Sequence, residues 1–89
     1  MMPLRTRLTE FLAIRHPILL APMAMVSGGR LAAAVTAAGG LGLVGGGYGD
    51  PAWLRVEIAR AGGARVGYGF ITWSLARTPD LLAPVLAQQ

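Results

Sequence analysis

His16 is the only histidine in this chain, and there is no cysteine. One imidazole and no thiolate cannot build a zinc site. A Ser-His-Asp triad would have to recruit His16, which stands directly before Pro17 at the start of an apolar run. All eight basic residues are arginine, so a P-loop lysine and a Schiff-base lysine are both excluded within these residues. The acids are Glu10, Asp50, Glu57 and Asp80, and each reads as a surface or cap residue. They offer no carboxylate pair for acid-base work. Gly45-Gly46-Gly47-Tyr48-Gly49-Asp50 misses the third glycine of a dinucleotide fingerprint by one position. Phe70-Ile71-Thr72 supplies no acid about twenty residues later, where that fingerprint wants one.

What remains is a set of small-residue segments: Ala21-Pro22-Met23, Gly45–Gly49 and Gly69–Trp73. Together they could form part of a shallow, apolar cofactor platform. Ala21 is small enough for a flat ligand to approach the main chain. Met23 is polarizable and suits packing against an aromatic system. The plain alternative is that Met23 and Met25 fill the core.

The surrounding pattern must position those segments. Pro17–Met23 is a short apolar run, as in a strand buried on both faces of a parallel sheet. Pro22 lacks an N–H and marks the exit of that strand. Ser27 is placed to cap a helix over Gly28–Ala38, whose Leu31, Ala34, Val35 and Ala38 share a face. Gly39-Gly40 stops it. Leu41–Val44 reads as the second strand and empties into the glycine loop. Asp50-Pro51 then starts a helix to about Ala61, with Leu54, Ile58 and Ala61 inward and Arg55, Glu57 and Arg60 pointing elsewhere. Arg65–Ile71 reads as the third strand, with Gly67 and Gly69 on one face and room there for a ligand or a neighbouring element. Thr78-Pro79-Asp80 repeats the cap signal before a last helix through Leu81, Leu82, Val85 and Leu86, which Pro84 should kink or stop. Before all of this, Leu8, Phe11 and Leu12 share the face of a short helix over Thr6–Ala13.

The expected class is therefore α/β, with parallel strands and crossover helices. Ligands in such folds sit at the C-terminal edge of the strands. His16 falls at the opposite, stabilising end. Three parallel strands leave two edges that need pairing or cover.

Totals narrow the function classes. At 89 residues the chain is one small domain or part of a larger one. Its hydrophobic content of 54% argues against disorder. The net charge is +4, but the arginines are scattered and form no basic stripe, so no nucleic-acid partner is expected. Leu31–Gly49 is uncharged but glycine-rich. Each interior glycine costs a helix roughly 0.8–1 kcal/mol against alanine, so no membrane helix is expected there. Met1–Glu10 carries no signal-peptide pattern, and a cytoplasmic location is the default expectation.

Several motifs in order resemble the start of the nitronate monooxygenase family, formerly called 2-nitropropane dioxygenase. They are Arg15–Met23, Val26-Ser27, Leu31–Val35, Ala38–Gly42, Gly45–Gly49 and Gly69–Trp73. The resemblance spans nearly the whole chain. It implies the first three βα units of a TIM (β/α)8 barrel over residues 1–89, with FMN at the C-terminal face. It also implies oxidation of alkyl nitronates with O2 to carbonyl compounds and nitrite. Ala21, Pro22 and Met23 match the segment whose backbone and methionine lie against the isoalloxazine, and Gly45 and Gly46 match the loop beside it. Gly69 stands about where many members carry a flavin-contacting asparagine, with Thr72 as a substitute contact. No catalytic residue is carried over: the family's histidine lies later in its chain, and so does its phosphate site. The fragment alone is expected to be inactive.

Two other readings stand beside this one. A related FMN-dependent enoyl reductase would keep the flavin barrel and take an enoyl thioester with a nicotinamide donor. A non-enzymatic βα module would persist only as a homo- or hetero-oligomer that pairs its open edges.

Overall fold

The structure, a computed structural model, describes residues 4–47 and 50–88. Tyr48 and Gly49 of the glycine loop lie outside the described residues. The elements run α1 (Arg7–Leu12), α2 (Gly29–Ala37), β1 (Gly42–Gly45), α3 (Pro51–Ala61), β2 (Val66–Gly69), α4 (Thr72–Arg77), a 3-10 turn (Pro79–Leu81) and α5 (Leu82–Leu86).

β1 and β2 pair in parallel, with Gly42 opposite Val66 and Gly45 opposite Gly69. Parallel neighbours need a crossover, and α3 supplies it. Its N-terminus is capped as expected: the Asp50 side chain accepts from the N–H groups of Ala52 and Trp53, and Pro51 opens the first turn. Gly62, in the left-handed region, ends it.

The first apolar run is a strand only at one point. Leu19 bridges Leu41 in parallel, Leu41 N–H donates to the Ile18 carbonyl at 3.0 Å, and Leu20 N–H donates to the Leu41 carbonyl at 3.0 Å. Continuing that register would need Leu43 N–H to reach the Leu20 carbonyl and an N–H at position 22 to reach the Leu43 carbonyl, and Pro22 has none. The ladder stops there. Pro17–Met23 therefore flanks β1 without the full strand expected of it.

Other boundaries also differ. Gly28, not Ser27, is the N-cap of α2. β2 covers only Val66–Gly69, because the chain turns at Ile71 into α4, a helix that the sequence pattern did not reveal. Thr78 makes no side-chain cap bond. Pro84 does not kink a long helix. It sits in the first turns of five-residue α5, where its missing N–H has little to disrupt.

The buried apolar residues are few: Ala32, Val44, Leu54, Ala61 and Leu81. Val44 faces the helix layer. On the same strand face, a β-carbon at Gly42 would collide with the main chain of Ala32, so glycine lets α2 lie directly on β1. α1 is tied to the far end of the sheet: Thr6 and Thr9 form a reciprocal capping pair, and the Arg65 guanidinium donates to the Leu12 carbonyl. Among the described residues no helix is long and apolar enough to cross a membrane.

Candidate functional site

The C-terminal edge of the sheet is organised by Ser27. It is 0% exposed. Its Oγ accepts from Met23 N–H at 2.7 Å and donates to the Met23 carbonyl at 3.1 Å. That carbonyl also accepts from the main-chain N–H groups of Val26 and Ser27. The Ser27 carbonyl in turn accepts from Gly45 N–H at 2.9 Å. One buried hydroxyl thus fixes the turn after the first apolar run, and its own peptide fixes the end of β1. A side chain read from sequence as a helix cap instead closes the Met23 turn, and the same residue's carbonyl joins that turn to the end of β1.

Glu57 was expected on an outward face, yet it is 2% exposed. Its Oε1 accepts from Gly29 N–H at 2.9 Å, and its Oε2 accepts from the Arg60 guanidinium at 3.1 Å. The carboxylate meets the N-terminal dipole of α2, which has no side-chain cap of its own. Gly29 is required here, because a β-carbon would press on the α3 backbone at Glu57, Arg60 and Ala61.

The glycine face of β2 is not vacant. A β-carbon at Gly67 would strike the Leu43 side chain, and one at Gly69 would strike the Pro22 ring. Both glycines admit neighbouring side chains, which is one of the two uses foreseen for that face.

Where the loops meet there is an open cavity. Pro22, Ala24 and Gly45 form one side. Gly46, Gly47, Gly69, Phe70 and Ile71 form the rest. Four residues named from sequence, Pro22, Gly45, Gly46 and Gly69, are brought together here. Ala21 and Met23 are exposed on the adjoining segment and do not line it. Thr72 is exposed at the start of α4, one residue beyond Ile71. Gly47, Phe70 and Ile71 fall within the platform segments Gly45–Gly49 and Gly69–Trp73 without being named individually as cofactor contacts. Ala24 lies outside those segments, and only the folded chain shows that it lines the cavity.

Several main-chain donors around this cavity are already committed. Met23 N–H is held by Ser27, Gly45 N–H by the Ser27 carbonyl, and Gly46 N–H by the Gly69 carbonyl at 2.7 Å. Pro22 has no N–H. The Gly45 carbonyl accepts from the Trp53 indole N–H at 3.0 Å. Pro22, Phe70 and Ile71 give it apolar surface against which the face of a flat ring can lie, beside the main-chain polar groups of the glycines. His16 is remote from this edge. Its main-chain N–H donates to the Gly39 carbonyl at 2.9 Å, at the start of β1. No cluster of metal-ligating side chains occurs among the described residues.

The comparisons with known proteins agree with one another. A dehydrogenase of Mycobacterium tuberculosis, named for (3aS,4S,5R,7aS)-5-hydroxy-7a-methyl-1-oxo-octahydro-1H-indene-4-carboxyl-CoA, is 49% identical over 43 residues, which are 48% of this chain and 12% of that protein. The structure of FabK from Thermotoga maritima superposes with a TM-score of 0.62 at 43% identity, over 75% of this chain and 22% of that one. The chain thus spans about an eighth and about a fifth of these two relatives. The nitronate monooxygenase family profile matches residues 5–66, more than half of the chain and across α1, α2, β1 and α3. The chain belongs to the nitronate monooxygenase family.

Proposed function

We propose that this chain forms the first βα units of an FMN-dependent oxidoreductase barrel and supplies one wall of its flavin site. The observation that carries the reading is the cavity at the C-terminal edge of the paired strands in which Pro22, Gly45, Gly46 and Gly69 converge. Residues present on that wall fit a ring: Pro22, Phe70 and Ile71 offer apolar surface, and Met23 is exposed beside them. Bound there, a flavin would supply the electron-accepting chemistry, with an alkyl nitronate as donor and O2 as final acceptor. The chain's own part is to position and exclude. Ser27 holds the Met23 turn, Gly45 and Gly46 let the Met23 main chain and the Phe70 ring pack against the loop, and Phe70 shields one side from water. A phosphate clamp and a catalytic base belong to segments beyond these units.

A second reading, an acyl-thioester oxidoreductase on the same flavin, draws support from the carboxyl-CoA substrate in the name of the mycobacterial relative. Flavin reduction by NAD(P)H in a protein that contains the remaining units would favour it.

The test is to mix the chain with FMN or with riboflavin, desalt, and read the visible spectrum. The expected result is retention of both flavins to within about twofold, since this wall grips the ring and not the phosphate. Retention of neither overturns the platform in the isolated chain. Retention of FMN alone overturns the assignment of the phosphate clamp to other segments.

A further inference from the structure

Met25 stands out on two counts. It is 84% exposed, and its φ is +63°. Left-handed backbone is unfavourable for any residue with a β-carbon, and glycine would fit there freely. Ala13 is the other such residue among those described, and its φ of 55° is explained by its place as the C-cap of α1. Met25 ends no helix. It lies inside the turn that Ser27 closes onto Met23. A large apolar side chain is kept in solvent on a strained backbone, where the fold itself asks only for glycine.

Its side chain lines a recess with Trp53, Asp50 and Ala24, floored by Gly46 and Gly47. The Trp53 indole N–H is already bound to the Gly45 carbonyl, so the ring presents apolar surface. Ala24, Gly46 and Gly47 also line the cavity described above, so the two spaces share a wall. The recess is the larger, about 260 Å³ against about 180 Å³. Among the described residues that line it, Asp50 is the only charged one, while Arg30, Glu57 and Arg60 stand in the adjoining space beyond Met25 and Trp53. The recess itself therefore offers no described cation to pair with an anionic tail.

We propose that the recess between Met25 and Trp53 is the subsite for the uncharged apolar chain of the substrate, an acyl or alkyl group whose reacting end lies at the neighbouring cavity. The proposal rests on the flavin-site reading for that second clause. Met25 is adaptable enough to close over chains of different shape.

The test uses the chain with Trp73→Phe, which leaves Trp53 as the single indole of the two in the sequence. It is titrated, with no flavin present, with the neutral N-acetylcysteamine thioester of octanoic acid and separately with octanoate. Saturable change in Trp53 emission is expected with the thioester, and binding at least fivefold weaker with octanoate. Met25→Gly, which relieves the backbone, should weaken thioester binding at least fivefold while Tm stays level or rises. Met25→Leu should restore affinity to within about twofold. Calorimetric titration of the unsubstituted chain checks that the Trp73 change is not responsible. Absence of saturable binding by both methods overturns the proposal, and so does equal affinity in Met25→Gly. Flavin retention is read separately: its loss with thioester binding intact strikes the flavin reading alone.

Discussion

The ring of Pro22 lies directly on the α-carbon of Gly69, in the space a β-carbon would occupy. One contact therefore joins the end of the first apolar run to the end of β2, across the cavity floor. Gly69→Ala should force the two segments apart. Overpacking of this kind costs about 1–3 kcal/mol. Urea unfolding should show that loss, and flavin retention should fall with it. Pro22→Gly combined with Gly69→Ala should recover part of the stability, because it removes the ring atoms, Cβ included, that the new methyl would strike.

Ser27→Ala removes the acceptor for Met23 N–H in a site closed to water. Leaving a buried donor unpaired costs about 1–3 kcal/mol. We expect a lower urea midpoint and faster amide exchange at Met23 and Gly45. Exchange at Ala52 and Trp53, which are capped by Asp50, should stay unchanged.

Glu57→Ala should destabilise by about 1–3 kcal/mol for the same reason, since Gly29 N–H then has no acceptor. Glu57→Gln keeps an acceptor oxygen and should cost less. A thermal melt of the two variants side by side checks the order. Equal losses would mean that the charge at the α2 dipole, rather than the hydrogen bond, carries the effect.

Asp50→Ala removes the α3 cap, worth about 1 kcal/mol. Asp50→Asn should be close to neutral, because the amide oxygen still accepts from Ala52 and Trp53. Far-UV circular dichroism during urea unfolding reads both.

Burial raises the Tyr68 phenol above its ordinary value of 10.0. The folded state then holds the proton more tightly than the unfolded one. The stabilisation is fully present below pH 10 and is lost as pH rises through the folded-state value. The parent and Tyr68→Phe should run parallel below pH 10. Above it, the parent should lose stability faster. Denaturant midpoints between pH 8 and pH 11 check the divergence.

Local signals carried much of this fold. Asp50-Pro51 and Gly62-Gly63 bound α3 as the structure has it, because caps and turns depend on residues within about four positions of each other. The Gly39-Gly40 stop of α2 was legible for the same reason, while α1 was legible from the spacing of Leu8, Phe11 and Leu12 and not from its Thr6 cap. α4 was not. It is six residues long and its N-cap, Ile71, makes no side-chain bond, so neither periodicity nor a cap residue announces it.

The site divides along the same line. Its glycine segments and the family motifs stand in the sequence itself, and they name Pro22, Gly45, Gly46 and Gly69. That the Ser27 carbonyl receives Gly45 N–H, that Glu57 is buried against Gly29, and that Gly69 receives Pro22 were decided by tertiary structure. Gly29 and Glu57 are 28 residues apart, and Pro22 and Gly69 belong to different loops. Their partners are set by how α2 packs on β1 and α3, a choice that depends on the shape of all three at once. Residue types named the platform, and packing chose which of them face one cavity.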